Sequence, residues 1–119
     1  VYFLGKIPYE DIIALYKSAR FLVHASLHES SCLPILEAAA SGIPIIASDI
    51  EPNIEMCNSL KINIFTRSNP EELSQLILRL WGDRDLCKMR VLHNLEGVEK
   101  YSWDTAAVKY MELFRRIID

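Results

Sequence analysis

Phe21-Leu22-Val23-His24-Ala25 is a short apolar run that passes through the polar stretch Ser26-Leu27-His28-Glu29-Ser30-Ser31-Cys32 into Leu33-Pro34-Ile35-Leu36-Glu37-Ala38-Ala39-Ala40. Ser41-Gly42 then leads at once to Ile43-Pro44-Ile45-Ile46-Ala47. A brief apolar run between polar residues reads as a buried strand. Proline in the first turn of a segment rich in helix formers marks a helix start, and glycine just past its end marks a stop. Strand, helix and strand across short loops predict parallel pairing through a right-handed crossover. Pro44 cannot donate to a ladder, so it belongs at the strand's start or beside an unpaired edge.

The alternation extends both ways. Val1-Tyr2-Phe3-Leu4-Gly5 predicts a strand ended by a glycine turn. Pro8 then opens a helix with Ile12, Leu15, Tyr16 and Ala19 on its apolar face. Beyond Ala47, residues 52–57 predict a short helix and Ile62-Asn63-Ile64-Phe65 a fourth, brief strand; residues 70–81, 86 to about 100 and 103–118 predict three helices. No repeat, low-complexity tract or linker divides the chain, so residues 1–119 are expected to form a single α/β domain.

Composition narrows the function classes. With 119 residues, 50% of them hydrophobic, the chain can build a core without disulfides or a structural metal. A net charge of −3 argues against nucleic acid as a partner, since neutralisation of phosphates by Lys and Arg dominates that binding. Cys32, Cys57 and Cys87 match neither a disulfide framework nor zinc-ligand spacing, which predicts a reducing, cytoplasmic setting. No apolar run approaches the length of a membrane span.

In an open parallel sheet the ligand site lies beyond the carboxyl ends of the strands. Here that place is the segment from His24 to Glu37. The backbone N–H groups of Ser30, Ser31, Cys32 and Leu33 stand at the mouth of a helix whose dipole favours an anion such as a phosphate or diphosphate. Glu29 and Glu37 flank them. A carboxylate beside an anion site is suited to accept hydrogen bonds from hydroxyls attached to the anion. Pattern alone leaves two readings open for each acid: Glu37 as a ligand or as a dipole-complementing residue, Glu29 as a ligand or as a solvated loop acid.

Glu29-x7-Glu37 within Glu-x-x-x-Leu-Pro-x-Leu-Glu-Ala, followed by Ser41-Gly42-Ile43-Pro44-Ile45-Ile46-Ala47-Ser48, resembles the nucleotide-sugar-binding, C-terminal half of the retaining GT-B glycosyltransferases of family 4, or group 1. Val1-x-Phe3-Leu4-Gly5, Leu15-Tyr16-x-x-Ala19 and Tyr101-Ser102-Trp103 follow in the family's order, so the resemblance covers essentially the whole chain. It implies a Rossmann-like sheet flanked by helices, a facing second domain, a nucleotide diphosphate sugar as donor (UDP-, GDP- or ADP-linked), no cofactor, no metal requirement, and retention of anomeric configuration. Glu29 would be the catalytic-site residue that contacts donor-sugar hydroxyls, and Glu37 would hold the ribose. The backbone from Ser30 to Leu33 would meet sugar and diphosphate, and Lys6 and Ile7 would frame the base.

The same resemblance implies that the first βα units, the cationic residues that neutralise the diphosphate, and the N-terminal acceptor domain lie outside these residues. The chain alone is then expected to bind donor weakly and to transfer nothing. The acceptor, a glycan, lipid or small molecule, would be held by the absent domain, with membrane contact at most peripheral, at the inner face. One departure stands out: Ser30-Ser31-Cys32 replaces the common Gly-Phe-Gly, and the small side chains keep close approach to a ligand feasible. The alternatives are a nucleotide- or phosphate-binding regulatory α/β module without transfer chemistry, and a degenerate glycosyltransferase site serving assembly.

Other motifs read as structural. His24 and His28 stand four apart but across a strand and loop, not on a helix as a zinc hydrolase requires. Asp83 is expected to cap a helix, Asp49 and Glu51 lack the acid partners of a receiver pocket, and Trp103, Ala106, Ala107, Tyr110, Phe114 and Ile117 form a stripe suited to packing.

Overall fold

Three parallel strands, β1 (Leu22–His24), β2 (Ile45–Ser48) and β3 (Asn63–Phe65), lie in the order β1-β2-β3 in a computed structural model that describes residues 1–118. The register pairs Leu22 with Ile45, His24 with Ala47, and Ile46 with Asn63. Parallel strands need a crossover between them. Helix α2 (Leu33–Ala40) supplies the first and α3 (Glu51–Met56) the second, while α1 (Tyr9–Ser18) precedes the sheet. Helices α4 (Pro70–Gly82), α5 (Arg84–Val98) and α6 (Trp103–Ile118) follow it, with a 3₁₀ turn at Glu99–Tyr101 before α6.

All four residues of β2 are buried, as a central strand covered on both faces should be. Period-two alternation divides them. Ile45 and Ala47 join Ile35, Ala38, Ala39, Ile50, Leu60 and Ile62 in one core cluster under α2. Ile46 turns the other way and meets Phe65 and Leu80, with Phe21, Leu73 and Leu76 packed around them. α2 stops as its sequence requires: Gly42 takes φ +72°, and the amides of Gly42 and Ile43 reach back to the carbonyls of Ala39 and Ala38. Asp83 caps α5 by accepting from the Leu86 amide at 2.8 Å.

Two expectations need correction. Residues 1–5 form no strand; Val1, Tyr2 and Phe3 are almost wholly exposed. A strand is stable only through a ladder partner, and none of the described residues pairs with this segment, so its β propensity has nothing to act on. The glycine turn does form, with Gly5 at φ +63°. The sheet therefore has three strands rather than four. Pro8 does open α1, as its cap residue, with Glu10 and Asp11 in the first turn, though no residue of α1 is fully buried. The stripe on α6 forms a helix face, but Trp103, Tyr110, Phe114 and Ile117 remain exposed along it. No helix among the described residues is long and apolar enough to cross a membrane.

Candidate functional site

The loop from β1 to α2 leaves the sheet at the carboxyl end of β1, where an open parallel sheet binds ligands. α2 begins there without a side-chain cap: its cap residue, Cys32, makes none, and Pro34 has no N–H. The Ile35 and Leu36 amides bond the Cys32 carbonyl, so the donors this mouth can offer are the Leu33 amide and the loop amides before it. Cys32 is completely buried and gives its thiol proton to Asn53 Oδ1 at 2.9 Å. Burial, and secondarily the charge of Glu29, pushes that thiol above its ordinary range.

Asn53 organises the region from beneath. Its side-chain amide donates to the Ser48 carbonyl at 2.8 Å and to Ser48 Oγ at 3.4 Å. Ser48 Oγ in turn donates to the Ser26 carbonyl at 2.5 Å. One buried chain of hydrogen bonds thereby joins α3, the end of β2, the loop after β1 and the start of α2. Buried polar groups that satisfy one another in this way specify a single arrangement.

Glu29 sits half-buried above that floor. Its Oε1 accepts from Ser26 Oγ at 2.9 Å and lies 3.7 Å from His24 Nε2. His24 points toward the α2 face, in register with Ala47, and its Nδ1 is buried without a partner. Glu37, one turn into α2, has a separate pair of partners: Tyr16 donates to Oε2 at 3.1 Å and Tyr9 to Oε1 at 3.4 Å. Desolvation first, then the Glu37 charge, pushes the Tyr16 phenol up to about 12. Glu37 thus ties α2 to α1 through Tyr16 and, at longer range, Tyr9.

The remaining residues fall into place around these. Ser30, Ser31 and Leu33 are exposed at the helix mouth, while Cys32 turns inward. Of the non-glycine residues described, Ser68 alone has a positive φ, so Ser30, Ser31 and Cys32 occupy the positions of the common Gly-Phe-Gly without left-handed backbone. Lys6 is exposed and Ile7 half-buried in the coil that leads to Tyr9. Sequence reasoning overlooked Asn53, Ser26, and the Tyr9 and Tyr16 hydroxyls. A lone Asn between Ile50 and Ile54 was the available signal for the first, and a Tyr on an otherwise aliphatic stripe for the last.

Asp49 has a structural partner. Asp49 accepts from the Arg67 amide at 2.8 Å and pairs with its guanidinium at 3.4 Å. Among the described residues no three His, Cys, Asp or Glu side chains converge as metal ligands would.

The family model described as glycosyl transferases group 1 matches residues 1–91. The chain is 26% identical over 113 residues to O-antigen chain mannosyltransferase B of Escherichia coli, an alignment covering 95% of this chain and 29% of that protein. It is 31% identical over 115 residues to glycosyltransferase 1 domain-containing protein 1 of Xenopus tropicalis, covering 95% of this chain and 33% of the relative. In structure it superposes on sucrose-phosphate synthase from Thermosynechococcus elongatus with a TM-score of 0.86 at 24% identity, over 98% of this chain and 30% of the synthase. The chain thus spans about a third, or less, of the proteins it matches.

Proposed function

The chain belongs to the group 1 glycosyl transferases and has the α/β fold of their GT-B architecture, and from that premise we propose that it is the donor-binding domain of a retaining, metal-independent enzyme that uses a nucleotide diphosphate sugar. The observation that carries this reading is the uncapped start of α2, flanked by Glu29 in the loop and Glu37 on the helix. The exposed helix mouth offers N–H donors to the diphosphate at Ser30, Ser31 and Leu33. Glu37 accepts from ribose hydroxyls and Glu29 from those of the sugar, with Ser26 and His24 holding Glu29 in place. Lys6 and Ile7 frame the base.

Catalysis in this scheme is electrostatic. Donors fixed in advance at the helix mouth stabilise the charge that grows on the departing diphosphate, and no proton transfer from these residues is required. The acceptor and the cations that complete diphosphate neutralisation belong to parts of the protein beyond these residues, and transfer is a property of the longer chain. The relative named as a mannosyltransferase makes a mannosyl donor one arm of the test.

The test is transfer by the protein in its full natural length, supplied with UDP-, GDP- and ADP-sugars and a panel of acceptors. NMR of the product should show the donor's anomeric configuration, with turnover unchanged by a chelator. An inverted product, or turnover abolished by the chelator, contradicts the reading.

A further inference from the structure

The two hydrogen bonds on Glu37 are unequal. Tyr16 is half-buried and packed against the core cluster under α2, and its hydroxyl lies 3.1 Å from Oε2. Tyr9, the first residue of α1, is 62% exposed, and its hydroxyl lies 3.4 Å from Oε1, beyond the usual O–H···O range. Both tyrosines and Glu37 line one cavity of about 280 Å³ between α1 and α2, together with Ile13, Lys17 and Ser41. Releasing Tyr9 returns an already exposed hydroxyl to water. Releasing Tyr16 would tear an aromatic ring from its packing.

We propose that Tyr16 is a positioning residue that fixes the Glu37 carboxylate, and that the Tyr9 hydroxyl is a placeholder which a ribose hydroxyl displaces when nucleotide binds. The inference rests on the reading of Glu37 as the ribose acid and deepens it. A carboxylate accepts through two oxygens with about four lone-pair directions. Tyr16 occupies one of them permanently and leaves Oε1, to which Tyr9 is the only hydroxyl bonded among the described residues. Exchanging one hydroxyl donor for another keeps Glu37 satisfied throughout. Tyr16 stays protonated across the neutral range and can hold Oε2 in either state.

Calorimetry on the protein in its full natural length tests this, with UDP, GDP and ADP as probes beside their 2′,3′-dideoxy counterparts. Tyr9→Phe removes the competitor and should tighten the ribonucleotide about two- to tenfold while leaving the dideoxynucleotide unchanged. Tyr16→Phe should weaken the ribonucleotide by a similar factor and narrow its advantage over the dideoxy form. Ribonucleotide affinity that is unchanged or lower in Tyr9→Phe overturns the placeholder, and full discrimination in Tyr16→Phe overturns the positioning role. Should Tyr16→Phe not fold, the exposed Tyr9→Phe variant still decides. Glu37→Ala separates the layers: if it keeps the ribose preference, the reading of Glu37 itself fails; if it loses the preference while Tyr9→Phe changes nothing, only the present inference fails.

Discussion

The Cys32 thiol donates to Asn53 Oδ1 across 2.9 Å, so the residue that would cap α2 faces the core and is held from behind by α3. This single bond explains how the helix mouth can stay uncapped and yet be fixed in place. A side-chain cap takes the amide of the second or third helical residue. Pro34 has none and Ile35 already bonds the Cys32 carbonyl, so the inward-turned sulfur forgoes no cap and the Leu33 amide and the loop before it remain presented.

Asn53→Ala should lower the unfolding free energy by about 2–3 kcal/mol, since it strands the Ser48 carbonyl and the Cys32 thiol in a dry interior and leaves a small void. Urea denaturation of the chain measures it. A loss below about 0.5 kcal/mol would mean that the buried network does not organise this end of the sheet.

Gly97 and Gly82 should respond oppositely to alanine. A Cβ at Gly97 would lie 2.1 Å from the Ser59 carbonyl, a backbone atom that cannot step aside, whereas at Gly82 it would meet nothing within 4 Å. Gly97→Ala should destabilise by about 1–3 kcal/mol through overpacking. Gly82→Ala should be neutral or stabilise by up to about 1 kcal/mol, through a less flexible unfolded chain. Thermal denaturation of the pair checks the close approach of α5 to the segment before β3.

Most of the fold was legible in the sequence because most of it is local. The Pro34 start, the Gly42 stop and the Asp83 cap each depend on residues a few positions apart. Residues 1–5 were not, because a strand is a property of two segments and none of the described residues pairs with this one. The site divides in the same way. Glu29, Glu37 and the helix mouth stood out through spacing along one segment. Asn53 meets Cys32 across 21 residues, and Tyr16 meets Glu37 across another 21, separations that periodicity cannot reveal.

Alkaline titration should find one of the five tyrosines ionising last. The Tyr16 phenol is raised from 10.0 to about 12 in the folded chain, so the folded state retains its proton after the unfolded state has lost its own. Stability is full below pH 10 and falls as pH rises from there toward 12. Tyr16→Phe should remove that late-ionising group and flatten this part of the stability curve. A wild-type chain whose tyrosines all ionise together near pH 10 would contradict the Tyr16–Glu37 bond.

Ser30→Gly should bring no gain. Ser30 has a negative φ, so glycine relieves no strain there and only loosens the unfolded chain, lowering stability by about 0.4–1 kcal/mol. Donor affinity should stay within about twofold, because the backbone already reaches its position. A large rise in affinity would show that serine restricts the approach of the donor.

The central claim is that Glu37 and the start of α2 bind a nucleotide sugar. Isothermal calorimetry of the full natural-length protein with UDP-, GDP- and ADP-sugars tests it most directly. At least one should bind, and Glu37→Ala should weaken that donor by about 1–3 kcal/mol while the variant remains folded. Binding of none of them, or an affinity that Glu37→Ala leaves unchanged, would contradict the account.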